Sequence, residues 1–169
     1  IAPATANVIG KIANGIADDM LTTTVMASTV PKIISPAMNH NMYHNPIVQD
    51  NISKLEKYGY TIIPATHGML ANGDDGDGRM PDEKILLEYV IRSLYKKDLS
   101  GKKILVTAGA TQEALDPVRY ITNHSTGKMG YSVAQEAVRR GADVILISGR
   151  TNLDVPEGVK FVPVVSAKD

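Results

Sequence analysis

The chain has 169 residues, of which 43% are hydrophobic and 21% charged, a composition typical of globular domains and not of disordered segments. Its 18 basic and 18 acidic side chains balance, so the charge provides no reason to expect binding to nucleic acid or to an anionic membrane. No apolar run is long enough to span a bilayer, and the absence of cysteine excludes disulfides and thiolate metal sites and is typical of a cytoplasmic protein. The chain begins with Ile1 and ends at Asp169 without a signal peptide or a terminal helix, and we expect it to be an excerpt from a longer protein.

Helices alternate with short apolar strands in the first half of the chain. The first predicted helix carries apolar residues at four-residue spacing, namely Val8, Ile12, Ile16 and Met20. Thr5 or Asn7 is expected to cap its start. Residues 32–39 then predict a short buried strand that breaks at Pro36.

Two further helices are predicted before residue 97. The first covers residues 46–60, ends at Gly59, and turns inward a face made of Ile47, Val48, Ile52 and Leu55. A short strand at 61–65 follows it. The second helix covers residues 81–96 and has Pro81 and acidic residues in its first turn.

The polar segment 96–102 breaks this pattern, and we predict a linker there between a first domain at 1–95 and a second at 103–169. The second domain restarts with a buried strand that ends at Gly109, followed by a helix, a strand at 142–149 and a third strand near 160–165. The helix is predicted over residues 127–141, with one face formed by Met129, Val133, Ala137 and Val138. Strand, helix and strand at this spacing predict a parallel βαβ unit.

Residues 68–83, GMLANGDDGDGRMPDE, contain four glycines and five acidic residues in sixteen positions. This composition favours neither a helix nor a strand and predicts a mobile surface flap. An EF-hand calcium loop is excluded because Gly73 and Lys84 occupy positions where that motif requires acidic ligands. An ordinary exposed loop is the alternative.

Segment 36–46, PAMNHNMYHNP, directly follows a predicted strand, and ligands of open α/β sheets bind beyond the carboxyl ends of strands. Asn39 is therefore a candidate to offer its amide to a carboxylate or a ring edge, with Met42 and Tyr43 as an apolar wall. The alternative is a turn in which Asn39 and Asn45 bond to the local backbone.

The histidines of the first half are His40, His44 and His67. They do not share a metal-binding spacing on one predicted element, so we predict surface or supporting roles for them and no metal site.

In the second half, a helix is predicted to open near Gly127, behind Ser125 and Thr126, about seventeen residues after the preceding strand. Small residues before a helix N-terminus are typical of phosphate sites. Met129 stands where a P-loop requires Ser or Thr, and the dinucleotide glycine pattern is also absent. The long loop therefore predicts a phosphate or nucleotide site of an unusual type.

Four motifs in these segments resemble the bifunctional family of coenzyme A biosynthesis in which phosphopantothenoylcysteine decarboxylase is fused to phosphopantothenate–cysteine ligase. In chain order they are APATANVIGKIANGIADDMLTTT, PAMNHNMY, LANGDDGDGRM and DPVRYITNHSTGKMG, and together they extend over nearly the whole chain. The resemblance implies a flavodoxin-like, Rossmann-type α/β flavoprotein domain followed by a Rossmann-like parallel-sheet ligase domain, both truncated.

For the first domain, the resemblance implies FMN-dependent decarboxylation of 4′-phosphopantothenoylcysteine to 4′-phosphopantetheine. The cysteinyl thiol is oxidised to a thioaldehyde, CO₂ leaves, and the enethiolate is reduced and protonated. By this resemblance Ala6 and Asn7 lie against FMN, Asn39 holds the substrate carboxylate, and Met42 lies in the same pocket. Residues 70–80 close over the substrate.

Asn72 departs from the family pattern, because the family has its proton-donor Cys at that position. A carboxamide has no proton to give near neutral pH, whereas a thiol titrates near 8.5. We expect a chain with Asn72 to decarboxylate its substrate and then stall at the enethiol. The family's phosphate-binding loop and catalytic His are expected upstream of Ile1.

For the second domain, the resemblance implies that CTP, with Mg²⁺, activates 4′-phosphopantothenate as an acyl-cytidylate that then reacts with cysteine. Asn123 matches the Asn that steadies the acyl-cytidylate. Contacts on the nucleotide side are expected from Gly109, Ala110, Thr111, Arg119 and Lys128. The family ligase is a dimer and the family decarboxylase a trimer, so a homo-oligomer is expected.

Two other functions are compatible with parts of the chain. One is a flavoprotein-family binding or regulatory subunit that has lost catalysis, which Asn72 favours and the intact ligase signature disfavours. The other is a nucleotide-binding regulatory module. It would bind a nucleotide without flavin, and it does not explain the segment PAMNHNMY.

Overall fold

A computed structural model describes residues 1–71 and 73–169, which form two compact units, Ile1–Val90 and Ile91–Asp169. The helices are α1 (Ala6–Ala13), α2 (Met20–Ala27), α3 (His40–Tyr43), α4 (Pro46–Lys57), α5 (Glu83–Leu94) and α6 (Lys128–Arg139). The strands are β1 (Ile33–Ile34), β2 (Thr61–Ile62), β3 (Thr66–Met69), β4 (Asp75–Arg79), β5 (Lys103–Ala108), β6 (Glu113–Ala114), β7 (Tyr120–Ile121), β8 (Asp143–Ser148) and β9 (Lys160–Pro163). Across the described ranges, every helix is too short or too polar to cross a membrane.

Parallel pairing organises the first unit. β1 pairs with β2 in parallel, and residues before α1 extend the same arrangement, since Ala4 forms a parallel bridge with Pro36. The amide of Ala4 donates to the carbonyl of Ser35 at 2.8 Å, and the amide of Ile63 donates to the carbonyl of Ile34 at 2.8 Å. The carboxyl ends of three parallel segments therefore meet at one edge.

The core of the first unit lies between this parallel edge and α1, α2 and α4. Its buried apolar residues are Ala4, Ile9, Ile12, Ala13, Val25, Ile34, Ile52 and Leu55. Ile9 and Leu55 are almost completely buried, and burial of a side chain of this size contributes about 1.5–3 kcal/mol. The apolar periodicity thus identified α1 and α4 as the helices that cover the sheet.

The first predicted helix is wrong in its length, because the structure divides it into α1 and α2. Gly15 has a φ of 71° and ends the first helical segment. Asp19 then starts α2 with a reciprocal capping box, in which its carboxylate accepts the amide of Thr22 at 2.8 Å. Ile16 and Met20, predicted to face inward, are exposed as a result. Thr5 is the N-cap of α1, as predicted.

Two predicted helix faces also need correction. Ile47 is exposed because it lies in the first turn of α4, before the face that Ile52 and Leu55 bury. In α6, Met129 and Val133 are exposed, and the buried face consists of Tyr131, Ala134, Ala137 and Val138. At Gly130 the helix lies close to β5, since a Cβ there would lie 2.6 Å from that of Ala108, and this contact turns the face that follows Gly130 towards the sheet.

The glycine-rich segment is a strand, contrary to the sequence-based prediction. β3 and β4 form an antiparallel hairpin (residues 66–79), with Gly68 opposite Gly76 and Met69 opposite Asp75. The alternation of buried and exposed positions that marks a strand is present in β4, but its buried positions are Gly76 and Gly78. Because those positions carry no apolar side chain, a hydrophobicity pattern does not show the strand.

The second unit contains the predicted parallel βαβ arrangement. β8 lies between β5 and β9, and all three strands are parallel. α6 packs on this sheet, and its core includes Val106, Tyr131, Ala134, Val144 and Leu146. The long loop between β5 and α6 contains the short antiparallel pair β6–β7.

Candidate functional site

A cavity of about 460 Å³ lies at the carboxyl edge of the parallel strands in the first unit. Segments from the strand ends and from the hairpin line it, including Thr5, Met38, Asn39, Leu70, Arg79 and Met80. Most of this wall is apolar, with a small number of polar groups, which is the usual composition of a small-molecule site. The sequence-based placement of a ligand site beyond the strand ends agrees with this position.

The N-terminus of α1 lies at this edge. The hydroxyl of Thr5 accepts the amide of Val8 at 3.3 Å, and the carbonyl of Thr5 accepts the amide of Ile9 at 3.0 Å. Within residues 1–71 and 73–169, no acceptor is present for the amides of Ala6 and Asn7, the first two of the helix. These N–H groups and the helix dipole favour an electronegative ligand atom beside the cavity.

Asn39 follows β1 and caps α3. Its Oδ1 accepts the amide of Asn41 at 2.9 Å, and Asn45 caps α4 in the same way through the amide of Ile47 at 3.0 Å. The local bonding that the sequence left as an alternative is therefore present for both residues. It uses only the oxygen of Asn39, and its Nδ2 amide has no acceptor in the part of the chain that the structure describes.

Met42 differs from expectation. It lies inside α3, is 47% exposed and is not part of the cavity wall, whereas Met38 lines the cavity because it precedes the helix at the strand end. Tyr43 packs against the core of the first unit.

The hairpin is docked onto the strand end beside Asn39. The amide of Met38 donates to the carbonyl of Gly78 at 3.0 Å. A Cβ at Gly78 would lie 2.2 Å from the carbonyl oxygen of Met38, so only glycine permits this approach. Asn72, the predicted position of the missing proton donor, lies outside the described residues.

Asp77 on β4 brings together the three histidines that the sequence analysis treated separately. His44 Nε2 lies 2.8 Å from Asp77 Oδ2, and His67 Nδ1 lies 3.0 Å from Asp77 Oδ1. The backbone amide of Asp77 donates to Nδ1 of His40 at 3.0 Å. Hydrogen bonds from His44 and then His67 lower the pKa of Asp77, and the bond to Asp77 is the main reason why the pKa of His67 is raised.

Two of the histidines, which were predicted to have surface or supporting roles, lie together beside Asp77. His40 and His44 are one turn apart at α3, and one ligand atom from each lies within 4.8 Å of the other and of a carboxylate oxygen of Asp77. Sequence spacing missed the arrangement because Asp77 reaches the histidines only through the docking of the hairpin. The four-residue spacing of His40 and His44 was the one available signal.

In the second unit, the ends of β5 and β8 come into close contact through glycines. A Cβ at Gly149 would lie 2.2 Å from the carbonyl oxygen of Ala110, and one at Gly109 would lie 3.0 Å from the carbonyl oxygen of Gly149. Gly127, with a φ of 75°, opens α6, and a Cβ there would lie 2.8 Å from Cγ2 of Thr151. These contacts set the loop after β8 against the start of α6.

A second cavity, of about 500 Å³, lies at this place. Its wall includes Gln112, Ser125, Thr126, Lys128, Arg150 and Thr151. Neither Lys128 nor Arg150 has an acidic partner among the described residues, so two uncompensated positive charges line the cavity. Sequence analysis singled out Lys128, Ser125 and Thr126 but missed Arg150, because it lies on the loop after β8 and belongs to no motif that was recognised.

The other residues expected to contact the nucleotide are close to the cavity residues along the chain, but they are not part of the cavity wall. Gly109 and Ala110 make the backbone contact described above, and the carbonyl of Thr111 accepts the hydroxyl of Thr122 at 2.8 Å. Arg119 Nε donates to Asp116 Oδ2 at 2.6 Å, so an acidic neighbour already offsets its charge.

Asn123 is exposed, and its Oδ1 accepts the amide of His124 at 2.8 Å. It is not part of the cavity wall. This places the residue expected to steady the acyl-cytidylate outside the second cavity.

The parallel edge, its cavity and the docked hairpin fit a flavin-binding α/β protein, and the chain belongs to the Flavoprotein family, whose model matches residues 1–95. The flavodoxin-like fold expected for the first unit is confirmed. Residues 99–169 match a second family model, described as the DNA/pantothenate metabolism flavoprotein C-terminal domain.

The particular relatives are bifunctional proteins of coenzyme A biosynthesis, which confirms the resemblance found in the sequence. The chain is 53% identical over 173 residues to the "Coenzyme A biosynthesis bifunctional protein CoaBC" of Bacillus subtilis, covering 100% of this chain and 43% of the relative. It is 47% identical over 170 residues to the protein of the same name from Borreliella burgdorferi, covering 100% of this chain and 44% of the relative. The chain thus spans less than half the length of these relatives.

Among solved structures, the chain is similar over part of its length to a cysteine-to-serine mutant of PPC decarboxylase in complex with pantothenoylaminoethenethiol. The identity is 39%, the TM-score is 0.52, and the match covers 53% of this chain and 50% of that chain.

Proposed function

We propose that the first unit is part of an FMN-dependent decarboxylase of coenzyme A biosynthesis that acts on 4′-phosphopantothenoylcysteine. The observation that carries this proposal is the cavity at the carboxyl edge of the parallel strands, whose wall includes both Asn39 and residues of the docked hairpin. The Flavoprotein family of the chain and the relatives named above support the same activity.

The residues present fit a flavin. The apolar part of the cavity wall, which includes Met38, Leu70 and Met80, suits a flat ring system. The amides of Ala6 and Asn7, which have no acceptor among the described residues, are donors for its oxygen or nitrogen atoms. FMN bound there would supply the reversible two-electron redox chemistry that loss of CO₂ requires.

The chain's own residues hold the substrate and shield it. The Nδ2 amide of Asn39 is positioned by the capping bond that its Oδ1 accepts, and it is a donor for the carboxylate that leaves as CO₂. The hairpin, held by the Met38–Gly78 bond, covers the cavity and excludes water from the reacting carbon. Met42, which is exposed on α3, has no part in this proposal.

Asn72 sets the end point of the reaction in this proposal. A proton must reach the carbon of the enethiolate in the last step, and the carboxamide of Asn72 does not supply one near neutral pH. The solved relative with its cysteine replaced by serine holds an aminoethenethiol, an unsaturated thiol of the kind expected here as the stalled product.

The test is to mix the full-length protein with FMN and 4′-phosphopantothenoylcysteine and to follow the visible flavin absorbance together with CO₂ and 4′-phosphopantetheine. We expect bleaching and CO₂ without 4′-phosphopantetheine. Full turnover would mean that another group donates the proton. Flavin binding without CO₂ would instead identify a binding or regulatory subunit.

A specific observation supports a second activity, that of phosphopantothenate–cysteine ligase. Lys128 and Arg150, which have no acidic partner among the described residues, place two positive charges at the cavity where α6 opens, an arrangement suited to a triphosphate. In this proposal the second unit is the beginning of a Rossmann-like ligase domain over 103–169, after a decarboxylase domain at 1–95 and a linker at 96–102. In this reaction CTP, with Mg²⁺, would activate 4′-phosphopantothenate as an acyl-cytidylate, and cysteine would then react with that acyl-cytidylate.

Pyrophosphate release from CTP in the presence of 4′-phosphopantothenate tests the ligase activity. We expect Arg150→Ala to raise the KM for CTP about 10-fold or more, as loss of a charged contact to phosphate usually does. Asp154→Asn is the control, since Asp154 is outside the cavity wall. Binding of CTP without pyrophosphate release would favour a nucleotide-binding regulatory module. We also propose that the protein forms homo-oligomers in which a second copy of the chain completes a site.

A further inference from the structure

The cluster around Asp77 has no role in the proposed decarboxylase reaction. None of His40, His44 and Asp77 forms part of the wall of the 460 Å³ cavity. One ligand atom of each nevertheless lies within 4.8 Å of the other two. We propose that these three residues bind a divalent transition-metal ion of the zinc type.

The chemistry of the three ligands supports this class of ion. Two imidazoles and one carboxylate suit zinc, nickel and copper, whereas magnesium and calcium prefer oxygen ligands alone. Three protein ligands leave the fourth tetrahedral position for water. His40 and His44, one helical turn apart, provide the spacing at which two imidazoles converge on one ion, and their ring centroids are 4.5 Å apart.

The hydrogen bonds of the cluster hold the ligands close to a metal-binding arrangement. His44 Nε2 and Asp77 Oδ2 are 2.8 Å apart, and two atoms bound to one tetrahedral zinc ion lie about 3.3 Å apart. Only a small separation of the two side chains is therefore needed. Nδ1 of His40 accepts the amide of Asp77 at 3.0 Å, and an ion bound at that atom takes the place of this hydrogen bond.

His67 acts through Asp77 and is a positioning residue. Its Nδ1 lies 3.0 Å from Oδ1 of Asp77, the oxygen that does not contact His44, and its Nε2 lies 3.5 Å from Asp75 Oδ2. Such a partner fixes the orientation of a ligating carboxylate. It also keeps one oxygen of Asp77 occupied while the other faces His44.

An ion bound at this place would connect two separate elements of the first unit. His40 and His44 belong to α3, whereas Asp77 belongs to β4, so a bound ion would join the hairpin to the strand end. Gly76 is part of this fit, since a Cβ there would lie 3.0 Å from Nδ1 of His40. Metal binding therefore stabilises the docked hairpin, independently of whether the cavity takes a flavin.

The test is to titrate the full-length protein, after removal of metals with a chelator, with Co²⁺ and Zn²⁺. We expect one ion per chain and, for Co²⁺, visible absorption bands of a tetrahedral site. Asp77→Asn and the double substitution His40→Ala/His44→Ala should weaken binding about 100-fold or more, and His67→Ala about 10-fold or more. His124→Ala is the matched control, because it removes an exposed imidazole from the second unit.

Two results would overturn the proposal. One is equal binding by the unchanged protein and the double variant, which would place the ion elsewhere. The other is a wild-type protein whose dissociation constants for Co²⁺ and Zn²⁺ are both millimolar or weaker. The Co²⁺ spectrum of the unchanged protein decides the second case without any variant, so a variant that fails to fold does not prevent a decision.

Discussion

The amide of Met38 donates a 3.0 Å hydrogen bond to the carbonyl of Gly78 and joins the end of the parallel edge to the hairpin. Because a Cβ at residue 78 would lie 2.2 Å from the carbonyl oxygen of Met38, Gly78→Ala should prevent this docking. We expect the free energy of unfolding to fall by about 1–3 kcal/mol and exchange of the Met38 amide to accelerate at least about 10-fold. Hydrogen exchange measured by NMR reports both.

Gly73→Ala is the matched control for this substitution. Gly73 also has a positive φ, 86°, but a Cβ there meets nothing within 4 Å. Backbone strain alone costs about 1–2 kcal/mol and leaves the Met38 amide protected. Equal acceleration in both variants would show that strain, and not the clash with Met38, releases the hairpin.

Asn72→Cys should convert a stalled reaction into complete turnover. A thiol provides the proton that the carboxamide lacks, so 4′-phosphopantetheine should appear in the flavin and CO₂ assay. Asn72→Ser is the control, since a hydroxyl is a poor acid at neutral pH, and it should remain stalled. Completion by the unchanged protein, or by the serine variant, would contradict the role proposed for this position.

Acid should weaken the start of α2. The hydrogen bond from the Thr22 amide, followed by those from the Thr22 hydroxyl and Lys11, lowers the pKa of Asp19 from 3.8 to about 2. Because the folded pKa lies below the ordinary value, the stabilisation is complete above about pH 4 and is lost as the pH falls towards about 2. Carboxyl NMR titration measures this pKa directly.

Asp19→Asn keeps an oxygen at the cap but cannot titrate, so it should remove this part of the acid sensitivity. Asp18→Asn is the control, because Asp18 pairs with Lys11 at 2.7 Å without capping the helix. An Asp19 pKa near 4 would show that the capping box does not persist in solution.

Leu146→Ala should destabilise the second unit by about 2–5 kcal/mol, because Leu146 is completely buried between the sheet and α6. Leu105→Ala, in the neighbouring strand β5, is the control, since Leu105 is 62% exposed and its truncation should change stability by only about 0.5 kcal/mol. Urea denaturation compares the two. Similar losses would mean that the exposed side of β5 is covered by another part of the protein or a second copy.

The sequence by itself determined the family, the order of most helices and strands, and the core positions Ile12, Ile52, Leu55 and Val138. These features are local, since a motif or an apolar period of three to four residues is complete within one segment. The same reasoning placed Asn39 at a strand end beside a ligand site, and the structure agrees with that location.

Only the tertiary structure decided where distant segments meet. Asp77 lies beside His40, His44 and His67 because β4 pairs with β3 and docks on Met38, and the buried positions of that strand are glycines without an apolar pattern. Likewise, Arg150 joins Lys128 at one cavity because the chain after β8 packs against the start of α6. Backbone pairing and close glycine contacts determine both arrangements, and neither leaves a periodic signal in the order of the residues.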